Sequence, residues 1–104
     1  MNIEKVAFIV NETENCWQAL RSAFGCMVEN LWCGVFFVGC NIEIHYSQLS
    51  EEEFREHLES FAVDFEAEIY TNVKADADKY DHVKYLSLED MIPKIRAYQL
   101  IVPF

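Results

Sequence analysis

Two cysteines carry the chemistry this sequence suggests. Cys40 lies in "VGCNIEIHY" (38–46), directly after the apolar run "LWCGVFF". A thiol at a strand end is placed to attack or to carry sulfur. Gly39 before it lets a backbone amide approach a bound group. His45, five residues on, would lower the thiol pKa if the loop folds back. Against a reactive Cys40 stand two facts: free cysteine often packs as a small hydrophobe, and the neighbouring Glu43 disfavours a thiolate by like-charge repulsion. Cys16 is the second candidate, because the first turns of a helix favour an anion. If the first two strands are neighbours, Cys16 and Cys40 approach each other as a resolving pair or redox switch. Cys26 and Cys33 fall inside apolar stretches and read as packing residues.

Other chemistry finds less support. The four cysteines form no C-x-x-C pair, and His45, His57 and His82 show no metal-ligand spacing with them. Asp76, Asp78 and Asp81 lack the glycine and terminal glutamate of a calcium loop. There is no G-x-G-x-x-G, no P-loop and no defensible Ser/His/Asp arrangement, so no cofactor is expected. His57 sits among Glu53, Glu56 and Glu59 and reads as a solvated helix residue whose protonated form those carboxylates favour.

The elements that would position these residues follow from hydrophobic periodicity. "KVAFIV" (5–10) reads as a buried strand. Asn11 with Glu14 has the form of a capping box. Trp17, Leu20, Phe24, Met27, Val28 and Leu31 then recur at helical spacing, and the helix ends near Asn30. "WCGVFFV" (32–38) is apolar without alternation, as a parallel strand covered on both faces would be. "SEEEFREHLESFA" (50–62) is a helix capped by Ser50, with Glu53 at the reciprocal position. Residues 66–73 alternate as a third strand, 74–82 form a polar connection with a helical turn, and 83–87 are a short strand. Ser87 caps a helix over 88–97, and 98–104 is a last strand. This order predicts one domain over residues 1–104. Its fold class is α/β, a three-layer α/β/α sandwich on a mostly parallel five-stranded sheet.

In such sheets ligands bind off the carboxyl ends of the strands. That rule places Cys16 and Cys40 on the binding edge, and with them Asn11, Gly39, Asn41, His45, Thr71 and Asn72 as candidate binding residues.

The bulk composition bounds the partners. The chain has 104 residues, 52% hydrophobic and 14% aromatic, enough for a real core. A formal net charge of −10 argues against nucleic acid and anionic membrane as partners. No basic segment followed by an apolar run opens the sequence, and no stretch is long enough to span a bilayer. The expected compartment is the cytoplasm, with free thiols. The many aromatics and the hydrophobic end "LIVPF" exceed what one small core needs, which predicts a subunit interface.

"FIVNETENCWQALRSAFGCMVENLWCGVFFVGCNIEI" resembles the opening of the DsrE/DsrF-like family: a strand, a polar loop, a helix with Ala19-Leu20-x-x-Ala23, and an apolar strand ending in a turn with Gly39. "VKYLSLEDMIPKIRAYQLIVPF" is similar to the family's closing portion. The resemblance covers nearly the whole chain in element order, on weak small-residue and hydrophobic patterns. It implies a small α/β subunit forming a homo-oligomer, a trimer or hexamer. It also implies a persulfide relay of sulfur, with a sulfur-carrier protein as partner. The family's sulfur-carrying cysteine lies just after the third strand. The matching stretch here, "IYTNVKADA" (69–77), contains none. Two functions therefore stand at this level. In one, Cys40 or Cys16 takes over as the persulfide carrier. In the other, the chain is a non-catalytic oligomeric subunit or small-ligand binding module. A redox-sensing Cys16–Cys40 pair is a third.

Overall fold

A computed structural model describes residues 4–43 and 49–104. Its organising element is β2 (Trp32–Phe37), buried without a break from Cys33 to Phe37. A strand apolar on both faces needs a neighbour on each edge and a layer on each face. β2 has all four. It pairs in parallel with β1 (Lys5–Val10) on one side and with β3 (Glu68–Thr71) on the other. β4 (Lys84–Tyr85) and β5 (Leu100–Pro103) complete an all-parallel sheet of order β4-β3-β2-β1-β5. The α/β sandwich expected from the sequence is present, and the sheet is wholly parallel.

Register decides which side chains share a face. Val6, Phe8 and Val10 stand beside Cys33, Val35 and Phe37, and all six enter the larger core. α1 (Cys16–Val28) covers this core with Cys16, Ala19, Leu20, Ala23 and Met27. α2 (Glu51–Glu59) adds Phe54 and Leu58, and a π-helical continuation over Ser60–Asp64 adds Phe61. Tyr80 and Val83, in the turn after α3 (Lys74–Lys79), close the same side. The opposite face carries Ala7, Phe36 and Tyr70, covered by Met91 of α4 (Leu88–Arg96) and by Tyr98. The coverage is therefore unequal. Leu88, Ile92, Leu100 and Ile101, on α4 and β5, are each 42–50% exposed.

Helix ends follow local chemistry. Ser50 Oγ accepts from Glu53 N at 3.2 Å and donates to its carboxylate at 3.0 Å, a complete capping interaction. Ser87 Oγ likewise accepts from Asp90 N at 3.2 Å. α1 ends at Asn30 (φ 68°), where Leu31 N–H reaches Cys26 O and Asn30 N–H reaches Met27 O, a Schellman closure. The expected cap at Asn11 is not formed. Asn11 N–H donates to Phe104 O at 3.2 Å and so prolongs the β1–β5 ladder. The chain then makes a 3₁₀ turn over Thr13–Asn15, and α1 starts only at Cys16 with no side-chain cap. Strands β3, β4 and β5 are shorter than the sequence suggests.

Gly34 is the tightest point of the sheet. Its neighbour across the layer is the Tyr98 ring, whose hydroxyl donates to Glu68 Oε2 at 2.8 Å. A Cβ on residue 34 would overlap Tyr98 Oη and lie 2.7 Å from its Cζ. The ring is also held edge-on by Phe36 at 5.8 Å, so it has little room to move. G34A is expected to lower unfolding stability by about 1–3 kcal/mol, the usual cost of overpacking. Denaturant titration of G34A, Y98L and the double variant checks it: the loss caused by G34A shrinks in the Y98L background.

Candidate functional site

The carboxyl edge of the sheet is built around the exit of β2. Val10 O, at the end of β1, accepts from Val38 N at 2.8 Å and from Cys40 Sγ at 3.4 Å. Gly39 adopts φ 66°, a conformation that favours glycine, and a Cβ there would meet nothing within 4 Å. Its role is therefore the turn, and its amide already has a partner: it donates to Asn72 Oδ1 at 2.7 Å. Asn41 is exposed, and its carbonyl accepts from Cys16 Sγ at 3.6 Å. Ile42 N donates to Asp76 Oδ2 at 2.9 Å. The stretch 38–42 is thus fastened to β1, to the loop after β3, to α3 and to α1.

The remaining edge residues are also engaged. Thr71 is fully buried, and its Oγ1 accepts from Val73 N at 3.1 Å. Asn72 donates its own amide to Phe37 O at 3.2 Å. Asn11 is exposed and engaged through its backbone. His45 lies outside the described residues. Asp76 is a functional brace that the sequence shows only as part of an incomplete calcium loop. It is buried and occupies the third position of α3, where a carboxylate can turn back toward a loop amide. That position separates it from Asp78; nothing else in "KADADK" does.

The fold does bring Cys16 and Cys40 together, as neighbouring strands joined by a helix require. Both are buried, and each perturbs the other's ionisation. Desolvation pushes the Cys16 thiol from 9.0 up to about 12, partly offset by the Glu43 amide. Cys40 is also raised, again chiefly by desolvation, while a hydrogen bond from Cys16 favours its thiolate. A thiol with a pKa near 12 is ionised in only about one molecule in 10⁵ at pH 7.

Cys26 and Cys33 form a second pair at the opposite edge of the sheet. Cys33 Sγ donates to Leu31 O at 3.7 Å, and Leu31 N donates to Cys26 O at 3.0 Å. Cys33 is buried and desolvation raises it to about 12, with Cys26 the next cause. Cys26 is half-buried, more accessible than the other three, and all four thiols are free.

One position on this edge is topologically special. β3 leads to α3 on the larger-core side, while the adjacent β4 leads to α4 on the other side. Neighbouring strands that send their connections to opposite faces mark the usual place for a crevice. Thr71, Asn72, Leu86 and Ser87 lie at that position, and none of them lines a cleft among the described residues. Leu86 N donates to Thr71 O at 3.0 Å, and the Ser87 hydroxyl caps α4. That position holds no cysteine. Among the described residues no group of three His, Cys, Asp or Glu is arranged to hold a metal ion, and no helix is long and apolar enough to cross a membrane. No protein-family model and no curated protein matches the chain.

The buried thiols set an alkaline limit. Cys16 and Cys33 hold their protons to about pH 12 in the folded chain but release them near 9.0 when unfolded. Above pH 9 the unfolded state therefore binds fewer protons, and stability falls as pH rises through that window; below pH 9 their contribution is constant. The expected slope from each is at most about 1.4 kcal/mol per pH unit. Urea titrations at a series of pH values check this, with C16A and C33A each flattening the decline.

Proposed function

We propose that the chain is a DsrE-like subunit that binds or assembles rather than transfers sulfur: a non-catalytic oligomeric module without the family's active cysteine. The observation that most supports this is the state of the carboxyl edge. After β3, Thr71 and Asn72 are both engaged in hydrogen bonds, and the two thiols nearby are buried with raised pKa values. A persulfide carrier needs a thiolate that a donor can reach; this edge keeps its thiols protonated and covered. The net charge of −10 favours neither nucleic acid nor an anionic membrane surface as a partner. A reducing cytoplasm suits four free thiols.

A second reading keeps the relay. Its support is the contact between Cys16 and Cys40, in which Cys16 stabilises a Cys40 thiolate. Cys40 would attack the outer sulfur of a donor persulfide, expel the donor thiolate and hold the sulfur as Cys40–S–SH. A thiolate on a sulfur-carrier protein would then take that sulfur and release Cys40.

Cysteine-resolved alkylation of native protein separates the two. The expected order is Cys26 first, with Cys16, Cys33 and Cys40 labelled only after denaturant is added. Labelling of Cys40 or Cys16 near neutral pH, with a gain of one sulfur there after exposure to a sulfane-sulfur donor, overturns the non-catalytic reading in favour of the relay.

The oligomer has its own support. Leu88 and Ile92 on α4 and Ile101 on the same side of β5 are exposed apolar residues, and Leu100 is exposed on the other side of that edge strand. Exposed apolar surface of this kind marks contacts between subunits. Light scattering is expected to show a trimer or hexamer, and I92E/I101K a monomer with an unchanged circular dichroism spectrum. A monomeric native chain would remove this part of the proposal.

A further inference from the structure

A cleft of about 210 Å³ opens on the outer side of the larger core, between α1 and α2. Its floor is Leu20, Leu58 and Phe61, each 5% exposed or less. Trp17 and Phe24 form its walls, with the His57 ring edge-on to both, at 5.0 and 6.4 Å between centroids. His57 is thus more than a solvated helix residue: it belongs to an aromatic cluster that Phe54 and Phe65 extend. Arg21 completes the lining. Neither the Arg21 nor the His57 side chain makes an ion pair or hydrogen bond with any described residue.

We infer that this cleft binds a single-ring aryl carboxylate, its ring between Trp17 and Phe24 and its carboxylate on Arg21 and His57. The inference rests on the reading of the chain as a binding module and names a ligand class for it. Size selects one ring: an apolar cavity of 150 Å³ is enough for benzene, whereas drug-sized pockets start near 300 Å³. The walls select an aromatic body, because rings pack edge-on or offset against rings. Charge selects an acid. A guanidinium with no ion-pair partner among the described residues offers a carboxylate two parallel N–H donors, and no described residue lining the cleft is acidic. The chain's overall negative charge opposes an anion only weakly here, since salt screens exposed charges beyond about 8 Å. Glu56 and Glu59 flank His57 in sequence but do not line the cleft, and Glu53, one turn before it, accepts from the Ser50 hydroxyl.

Trp17 lines the cleft, while Trp32 opens β2, does not line the cleft and is 41% exposed. W32F therefore leaves one fluorescent reporter in the site. The probes are phenylacetate and its neutral amide, phenylacetamide, at an ionic strength of about 0.15 M. Phenylacetate is expected to change Trp17 emission saturably, with a Kd of about 1 mM or below. Phenylacetamide should bind roughly tenfold more weakly. R21Q should weaken the acid by roughly tenfold and leave the amide unchanged. Calorimetry on the unmodified chain gives the same comparison without fluorescence. No saturation by about 10 mM, equal affinity for acid and amide, or an unaltered acid affinity in R21Q overturns the inference. Thiol labelling tests the parent reading separately. Reactive edge thiols alongside phenylacetate binding would overturn that reading alone. Unreactive thiols without phenylacetate binding would overturn this inference alone.

Discussion

The architecture depends on the double burial of β2. A strand with Val35, Phe36 and Phe37 fully inaccessible must have partners on both edges and cover on both faces. Three connections, through α1, α2 and α3, step the sheet outward from β1 to β4 with their apolar residues in one core. The fourth, through α4, returns across the other face to place β5 beside β1. One helix cannot cover five strands. The second face therefore relies on large side chains, with Tyr98 laid over Gly34 and Phe36 stacked on Tyr70 at 5.5 Å. What that layer leaves uncovered is the apolar surface on α4 and β5.

The same constraint shapes the carboxyl edge. β2 is central, so its exit is surrounded by the ends of β1 and β3 and by α1 and α3, all within hydrogen-bonding reach. Val10 O accepts from Val38 N and Cys40 Sγ, the Asn72 and Asp76 side chains accept one amide each, and the Cys16 thiol donates to Asn41 O. Buried polar groups need such partners, and here the polar residues of the edge supply them to one another. A sheet edge that in principle offers free amides and a thiol to a ligand has spent those groups on holding its own loop. Burial is the decisive term for the thiols, because desolvation outweighs every favourable hydrogen bond acting on Cys16.

How much of this was legible follows from the kind of signal involved. β2 could be read from its unbroken hydrophobicity, and the helices over 50–62 and 88–97 from Ser50 and Ser87 with acidic residues three positions on. The meeting of Cys16 with Cys40 followed from topology. The cap at Asn11 was misread because local sequence cannot show that Phe104 O, ninety-three residues away, claims its amide. Asp76 could be read only as part of an incomplete calcium loop for the same reason: its partner, Ile42 N, is far in sequence and carries no side-chain signature. His57 looked solvated because four-residue spacing reports its own helix, whereas Trp17 and Phe24 approach it from α1.

α1 is where the two halves of the functional argument meet. Its inner side carries Cys16, Ala19 and Ala23, small residues that let it lie close on the sheet and seal the edge thiols from water. Its outer side carries Trp17, Arg21 and Phe24 at intervals of three and four, one stripe along the helix. The small inner residues bring α1 close to the sheet, and α2 packs alongside it through Trp17 and Phe54 at 6.3 Å. Between them the aromatic walls stand apart instead of collapsing, because Leu20, Leu58 and Phe61 already fill the space below. Sealing the thiols and opening the cleft are thus consequences of one helix placement. A chain organised in this way has Cys16 and Cys40 inside and an aromatic cleft with a guanidinium on its outer side.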